Sequence, residues 1–157
     1  MMQVLKKAIM DSISEVLETM FFMVIEFDES DAMDTFTVDR KGRIIGCFLQ
    51  FRGPFSGHFI LLVKEGLLTE MAIDFMGEEP DNITDRHVNG TITEALNMIA
   101  GNAFGNYDDS IEFTIGIPNL MTDDEISSCF QDASGQDIWF KIQTPACDMA
   151  VKVVVTE

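Results

Sequence analysis

Basic residues are scarce in this 157-residue chain: ten lysines and arginines stand against 27 aspartates and glutamates, a formal charge of −17. That balance argues against a nucleic-acid partner, whose phosphates would repel the chain, and against an anionic membrane surface. It suits a partner that offers a local basic group. Long apolar runs are also missing. The stretch 20–25 is far too short to span a bilayer. Asp11 and Glu15 interrupt any signal-peptide core behind Lys6 and Lys7. Cysteine is confined to Cys47, Cys129 and Cys147, an odd number without metal-like spacing, as expected of reduced thiols in a cytoplasmic protein. Ser–His–Asp, P-loop and HExxH patterns are missing too. The acidic clusters Asp108–Asp109 and Asp123–Asp124–Glu125 lack calcium-loop spacing and read as solvated loops.

What is present suffices for one domain with a substantial core: 46% of residues are hydrophobic, among them 13 phenylalanines and 11 methionines. The chain is organised around residues 84–107, TDRHVNGTITEALNMIAGNAFGNY, whose spacing predicts one long amphipathic helix. At roughly 100° per residue, Val88, Ile92, Ala95, Leu96, Ile99, Ala100 and Ala103 form the apolar stripe. The opposite arc carries Gly90, Glu94, Asn97, Met98, Gly101 and Gly105, with His87 and Thr91 at its upper end. A carboxylate and a carboxamide three residues apart therefore project together into solvent. Glycine in an exposed helix costs about 1 kcal/mol relative to alanine, so three on one arc suggest that something approaches closely. The alternative is a solvated face with tolerated glycines. Asn102, roughly 80° from Glu94 at that pitch, reads as structural.

A first helix is expected over 2–22, with Ile9, Ile13, Val16, Leu17 and Met20 facing the core. A short strand at 24–27 and an acidic loop at 28–39 follow. The run GRIIGCFLQFRGPFSGHFILLV reads as a hairpin with strands at 43–51 and 57–63, turned by Gly53, Pro54 and Gly57. Residues 64–76 have helical spacing, and Gly77 ends them. After the central helix come a strand at 111–117, an ambiguous stretch at 121–131, and a second hairpin from 136–143 and 149–156. His58 sits in a strand and reads as structural; His87 could touch only a partner's rim.

The elements repeat. SEVLETMFFM at 14–23 overlays TEALNMIAGN at 93–102, and each is followed by a strand and a hairpin. The chain thus reads as a single domain of two degenerate copies, about 1–77 and 81–157. The expected fold is α/β (α+β), a pseudo-two-fold antiparallel sheet covered by long helices. The first copy places Glu15, Glu18 and Phe22 where the second has Glu94, Asn97 and Gly101. Glu18 cannot donate a carboxamide's hydrogen bonds, and a phenylalanine at the glycine position is expected to obstruct docking.

EALNMIAGNA at 94–103, on a long helix behind a degenerate twin, resembles the E-x-x-N…A-G-N-A signature of the CheC/CheX/FliY chemotaxis phosphatases. The single competent copy is most similar to the CheX branch, and VLETMFFM at 16–23 looks like the first helix of such domains. The resemblance implies a CheC-like fold and dephosphorylation of an aspartyl-phosphate on a CheY-like response regulator. It implies that Glu94 docks on a lysine of the regulator and that Asn97 orients water. Met98 and Gly101 would then contact the partner, and Mg²⁺ would belong to the partner, so no metal ligand or cofactor is expected here. The resemblance also implies a homodimer joined at sheet edges, with the two hairpins expected to be the available strands. A receiver-binding or assembly module of the same fold without turnover is the alternative, and an acidic scaffold with an accidental polar face is a third.

Overall fold

The computed structural model describes residues 2–28, 42–131 and 137–156. Most of the expected acidic loop, from residue 29 on, and residue 136 of the second hairpin lie outside them. Helix α1 runs Met2–Met20, followed by strand β1 at Glu26–Asp28. The first hairpin is β2 (Ile44–Arg52) and β3 (Ser56–Lys64), continuing into helix α2 (Glu65–Met76). Gly77 closes α2 in the left-handed conformation, its N–H donating to the Ile73 carbonyl. A 3-10 turn at Pro80–Asn82 leads into helix α3, Asp85–Tyr107. Two short strands follow, β4 (Thr114–Ile115) and β5 (Asn119–Leu120), then helix α4 (Asp123–Gln131). The second hairpin is β6 (Asp137–Gln143) and β7 (Asp148–Thr156).

Every strand pairing is antiparallel, and the order across the sheet is β1-β6-β7-β3-β2-β4, with β5 also on β2. The order maps onto itself when β1, β2 and β3 are exchanged with β4/β5, β6 and β7. Each half lends its short strand to the other half's hairpin, so the fold is pseudo-two-fold. This corrects the expected edges. Strands β3 and β7 are central, β6 is covered by β1, and β2 is covered by β4 and β5. The short strands cover only part of each hairpin: β1 pairs with β6 at 141–143, so among the described residues the open edges are the short strands and the stretch of β6 at 137–140.

Alternation divides the sheet faces. Cys47, Leu49, Phe51, Phe59, Leu61, Val63, Val151, Val153 and Val155 point to one side and join the main core with α1, α2 and α3. On the other side, among the described residues, α4 packs with Ile126 and Cys129 over Ile44, Ile60, Leu62 and Ala150, and Met121 joins them. Lys152, 3% exposed in its side chain, ties α4 down by donating to the Cys129 carbonyl at 2.8 Å, while pairing with Asp137 at 3.4 Å. All three cysteines are free thiols. Burial pushes Cys47 up to about 12, and Cys129 and Cys147 are also raised, chiefly by burial. Raised thiols of this kind are poor nucleophiles at neutral pH.

Several local expectations are corrected. Helix α1 ends two residues early, because Phe22 adopts φ 55° and stops it. The Met23 N–H instead reaches back to the Leu17 carbonyl at 3.0 Å. Met20, expected in the core, is exposed, and Phe21 takes its place, stacked on Phe75 at 5.1 Å. The strand expected at 111–117 shrinks to Thr114–Ile115, because Pro118 has no N–H for the ladder, and pairing resumes at Asn119. The ambiguous stretch 121–131 is a helix. Thr122 and Glu125 cap it reciprocally: the Thr122 N–H donates to Glu125 Oε1 at 2.9 Å, and the Glu125 N–H to Thr122 Oγ1 at 3.2 Å. The Thr122 N–H first, and the Thr122 hydroxyl second, hold the Glu125 carboxyl below its ordinary range. The T-D-D-E capping-box pattern is the signal in the sequence that announces this helix.

Candidate functional site

The expected central helix is α3, continuous through Gly101 and one residue shorter than expected because Thr84 is its cap. The Thr84 N–H donates to His87 Nδ1 at 3.1 Å, and the His87 N–H donates to Thr84 Oγ1 at 3.3 Å. His87 therefore serves as the return arm of a capping box, a place usually held by Glu or Gln. Since Nδ1 accepts a proton there, a neutral ring carries its own proton on Nε2. At the other end Asp108 caps the helix, its N–H donating to the Phe104 carbonyl at 3.1 Å. The Ser110 hydroxyl and then its N–H donate to the Asp108 carboxylate and hold it below its ordinary range.

The core side of α3 fixes its rotation. Ile92, Ala95, Leu96, Ile99, Ala100 and Ala103 are fully buried. Ser12 on α1, itself buried, donates from Oγ to the Ile99 carbonyl at 2.6 Å, and Asn106 Nδ2 donates to the Ala8 carbonyl at 3.4 Å. Residue 12 meets 99 and residue 8 meets 106, so α1 and α3 run antiparallel. The small side chains Ala95, Ala100 and Ala103 allow the close approach.

With that rotation set, Glu94, Asn97 and Gly101 are exposed and Met98 is half-buried against the core. Neither Glu94 nor Asn97 makes a hydrogen bond or ion pair with any described residue, leaving one acidic acceptor and one amide donor–acceptor free for a partner. The two lie about 4.5 Å apart along the helix axis. They stand on the exposed face of a helix. The clefts of about 440 and 470 Å³ are lined by other residues. A helix face of this shape cannot enclose a small substrate or exclude water from it; a pocket must come from the molecule it meets.

An added Cβ at Gly90, Gly101 or Gly105 would meet nothing within 4 Å, so no contact inside the chain requires glycine there. Gly101→Ala is therefore expected to stabilise the isolated protein by about 1 kcal/mol, roughly 2–4 °C in melting temperature for this size. If a partner approaches the bare helix at this point, the same methyl should slow the reaction with it several-fold. Thermal melts and partner-dependent assays on one preparation check both signs. A stabilised variant of undiminished activity would remove Gly101 from the site.

Other sequence-predicted residues move. Thr91, placed on the open arc, is buried and donates to the His87 carbonyl at 2.8 Å, because α1 covers that shoulder of α3. Asn102 is exposed and its side chain bonds to no described residue, so it is not the structural residue expected. Phe22 lies beyond the end of α1 and is 77% exposed, so it does not occupy the helical position matching Gly101. What distinguishes the first copy on the helix is Glu18 in place of the carboxamide. His58 is half-buried on β3 with its ring 4.8 Å from Phe48. Among the described residues no group of three His, Cys, Asp or Glu side chains could hold a metal ion, and no helix is long and apolar enough to cross a membrane.

Comparison with known proteins places this geometry in context. The model of the family described as chemotaxis phosphatase CheX matches residues 45–142. No curated protein matches the sequence. The fold is similar to that of the chemotaxis protein CheX from Vibrio vulnificus, at 17% identity and TM-score 0.71, over 97% of this chain and 96% of that one. It is similar to a chain in the CheX–CheY–BeF3–Mg²⁺ complex from Borrelia burgdorferi, at 18% identity and TM-score 0.71, over 97% of each. FliY from Thermotoga maritima is more distant, at 15% identity and TM-score 0.60, over 93% of this chain and 83% of that one.

Proposed function

We infer the activity of this chain from its kinship, for it belongs to the CheX family of chemotaxis phosphatases. Its reaction is hydrolysis of the aspartyl-phosphate on a CheY-like response regulator. The observation that carries the assignment of residues is the bare face of α3, where Glu94 and Asn97 stand exposed and without a partner among the described residues. A regulator supplies what that face lacks: a concave acidic site holding the phosphoryl group, a lysine and Mg²⁺. Glu94 docks by pairing with the lysine. The Asn97 carboxamide enters the site and holds a water in line with the phosphorus. The water oxygen bonds to phosphorus as the bond to the aspartate oxygen breaks, giving inorganic phosphate and a free carboxylate. Positioning and charge stabilisation suffice for such a transfer, and an amide holds water without titrating near neutral pH. Met98 and Gly101 form the contact surface around the pair.

The test is release of phosphate from a phosphorylated CheY-like regulator with Mg²⁺, with and without the protein. Accelerated release is expected. Unchanged release with retained binding would replace this reading by that of a receiver-binding module. The reading also includes a cytoplasmic homodimer of the two-copy domain, formed at the open sheet edges. Light scattering at micromolar concentration should then give twice the chain mass of 17.6 kDa; a strictly monomeric mass counts against it.

A further inference from the structure

On the sheet face turned away from α3, beyond the reach of α4, lies a cleft of about 440 Å³. Its polar walls come from neighbouring strands at one end of the sheet. Gln50 and His58 face each other across β2 and β3, Arg52 and Thr114 across β2 and β4, and Ser56 and Thr156 across β3 and β7. Alternation sends all of these to the same face, since Phe51, Phe59 and Val155 between them point into the main core. Gly116 lets β4 lie close: its N–H donates to the Gln50 carbonyl at 2.8 Å, and a Cβ there would come within 3.2 Å of that oxygen.

The electrostatics of this cleft oppose those of the chain. Among the described residues, no carboxylate lines it. Arg52 has no ion pair or hydrogen bond with any described residue. Gln50, His58, Ser56 and Thr114 likewise have side chains without an internal hydrogen bond; Thr156 alone is engaged, donating to the Ser56 carbonyl at 3.2 Å. The nearby Lys152 has its charge matched by Asp137, so among the described residues Arg52 is the cation here without a counter-ion. A guanidinium beside an amide, an imidazole and two hydroxyls presents many donors to a ligand with several anionic oxygens. Carboxylates have two such oxygens; a phosphate monoester has three and engages the donors from more directions. The volume suits a small molecule.

We propose that this cleft binds a small organic phosphate, with Arg52 as the charge partner and Gln50, His58, Ser56 and Thr114 as the surrounding hydrogen-bond partners. The site is separate from Glu94 and Asn97, on the opposite side of the sheet, and does not depend on the reaction assigned to them.

The test is titration of the full chain with phenyl phosphate, inorganic phosphate and acetate in parallel, read by the NMR resonances of the His58 ring and by thermal melting. Phenyl phosphate is expected to shift the His58 signals saturably and to raise the melting temperature. Arg52→Gln should weaken that response at least tenfold, whereas Asn97→Ala should leave it intact. No response to either phosphate up to about 10 mM, the weak limit of useful affinity, would overturn the proposal. So would an equal response in Arg52→Gln, or acetate binding as well as phenyl phosphate. If Arg52→Gln melts far below the parent, Arg52→Lys replaces it: the charge stays and the bidentate fork is lost, so weakened binding at unchanged stability is expected. Equal binding by that variant would remove the guanidinium's assigned role.

Discussion

Asn97→Ala should lower the saturated rate of regulator dephosphorylation by about 10²-fold, the size of effect a positioned group supplies in hydrolysis. That corresponds to roughly 2.7 kcal/mol of transition-state stabilisation. The fold should be untouched, since Asn97 is exposed and bonds to nothing inside the chain. Association should also survive, because the carboxamide acts after docking. Glu94→Gln gives the contrasting pattern. On the proposed docking role it removes the charge that would pair with the regulator's lysine, so the rate should fall chiefly at low partner concentration and recover toward saturation. Salt should weaken the Glu94 contribution more, because an accessible ion pair is screened with a Debye length of about 10 Å at 0.1 M. Single-turnover dephosphorylation against partner concentration separates the two variants. Full saturated turnover in Asn97→Ala would cancel its catalytic role and favour a module that binds without turnover.

The largest loss of stability is expected near the C-terminal end of the same helix. Phe104 is 5% exposed and lies in an aromatic cluster: its ring stacks on Phe113 at 4.1 Å and meets Phe51 at 4.8 Å and Phe59 at 5.7 Å. Those partners belong to β2, β3 and the segment before β4, so one side chain joins three parts of the fold. Truncation to alanine removes the buried ring and leaves a cavity that strand backbones cannot close. A cost of about 3–5 kcal/mol is typical of such a change. In a domain of this size that is a fall of roughly 10 °C or more in melting temperature. Below the transition, the folded protein should retain its saturated rate, since Asn97 and Glu94 lie about 10 and 15 Å away along the helix axis and neither bonds to the cluster. A cost under about 1 kcal/mol would mean that the cluster repacks freely, contrary to the close packing of protein interiors.

The open arc of α3 could be read from the sequence because its signal is local. Leu96 and Ile99 recur at helical spacing, and Glu94, Asn97 and Gly101 fall opposite them at any point along a straight helix. The hairpins were legible for the same reason: β2, β3, β6 and β7 begin and end within one or two residues of their expected limits. Short-range signals also lay unread, namely the Thr122–Glu125 capping box of α4 and its counterpart at Thr84 and His87. Phe22 illustrates the limit of pattern alone. A phenylalanine gives no hint of a left-handed helix stop, so the overlay carried α1 two residues too far.

What the sequence by itself determined is thus the identity of the elements and the face each buries, since periodicity and caps act over a few residues. Tertiary structure decided the rest. It set the order of the strands, with each half's short strand placed on the other half's hairpin, and so which edges stay open. It put α1 across one shoulder of α3, burying Thr91 while leaving Asn102 exposed. It brought Arg52 together with Thr114 and Thr156 on the far face of the sheet. Each of these outcomes pairs residues far apart in the chain, and such pairings are chosen by how the whole core closes, which no local run of residues encodes.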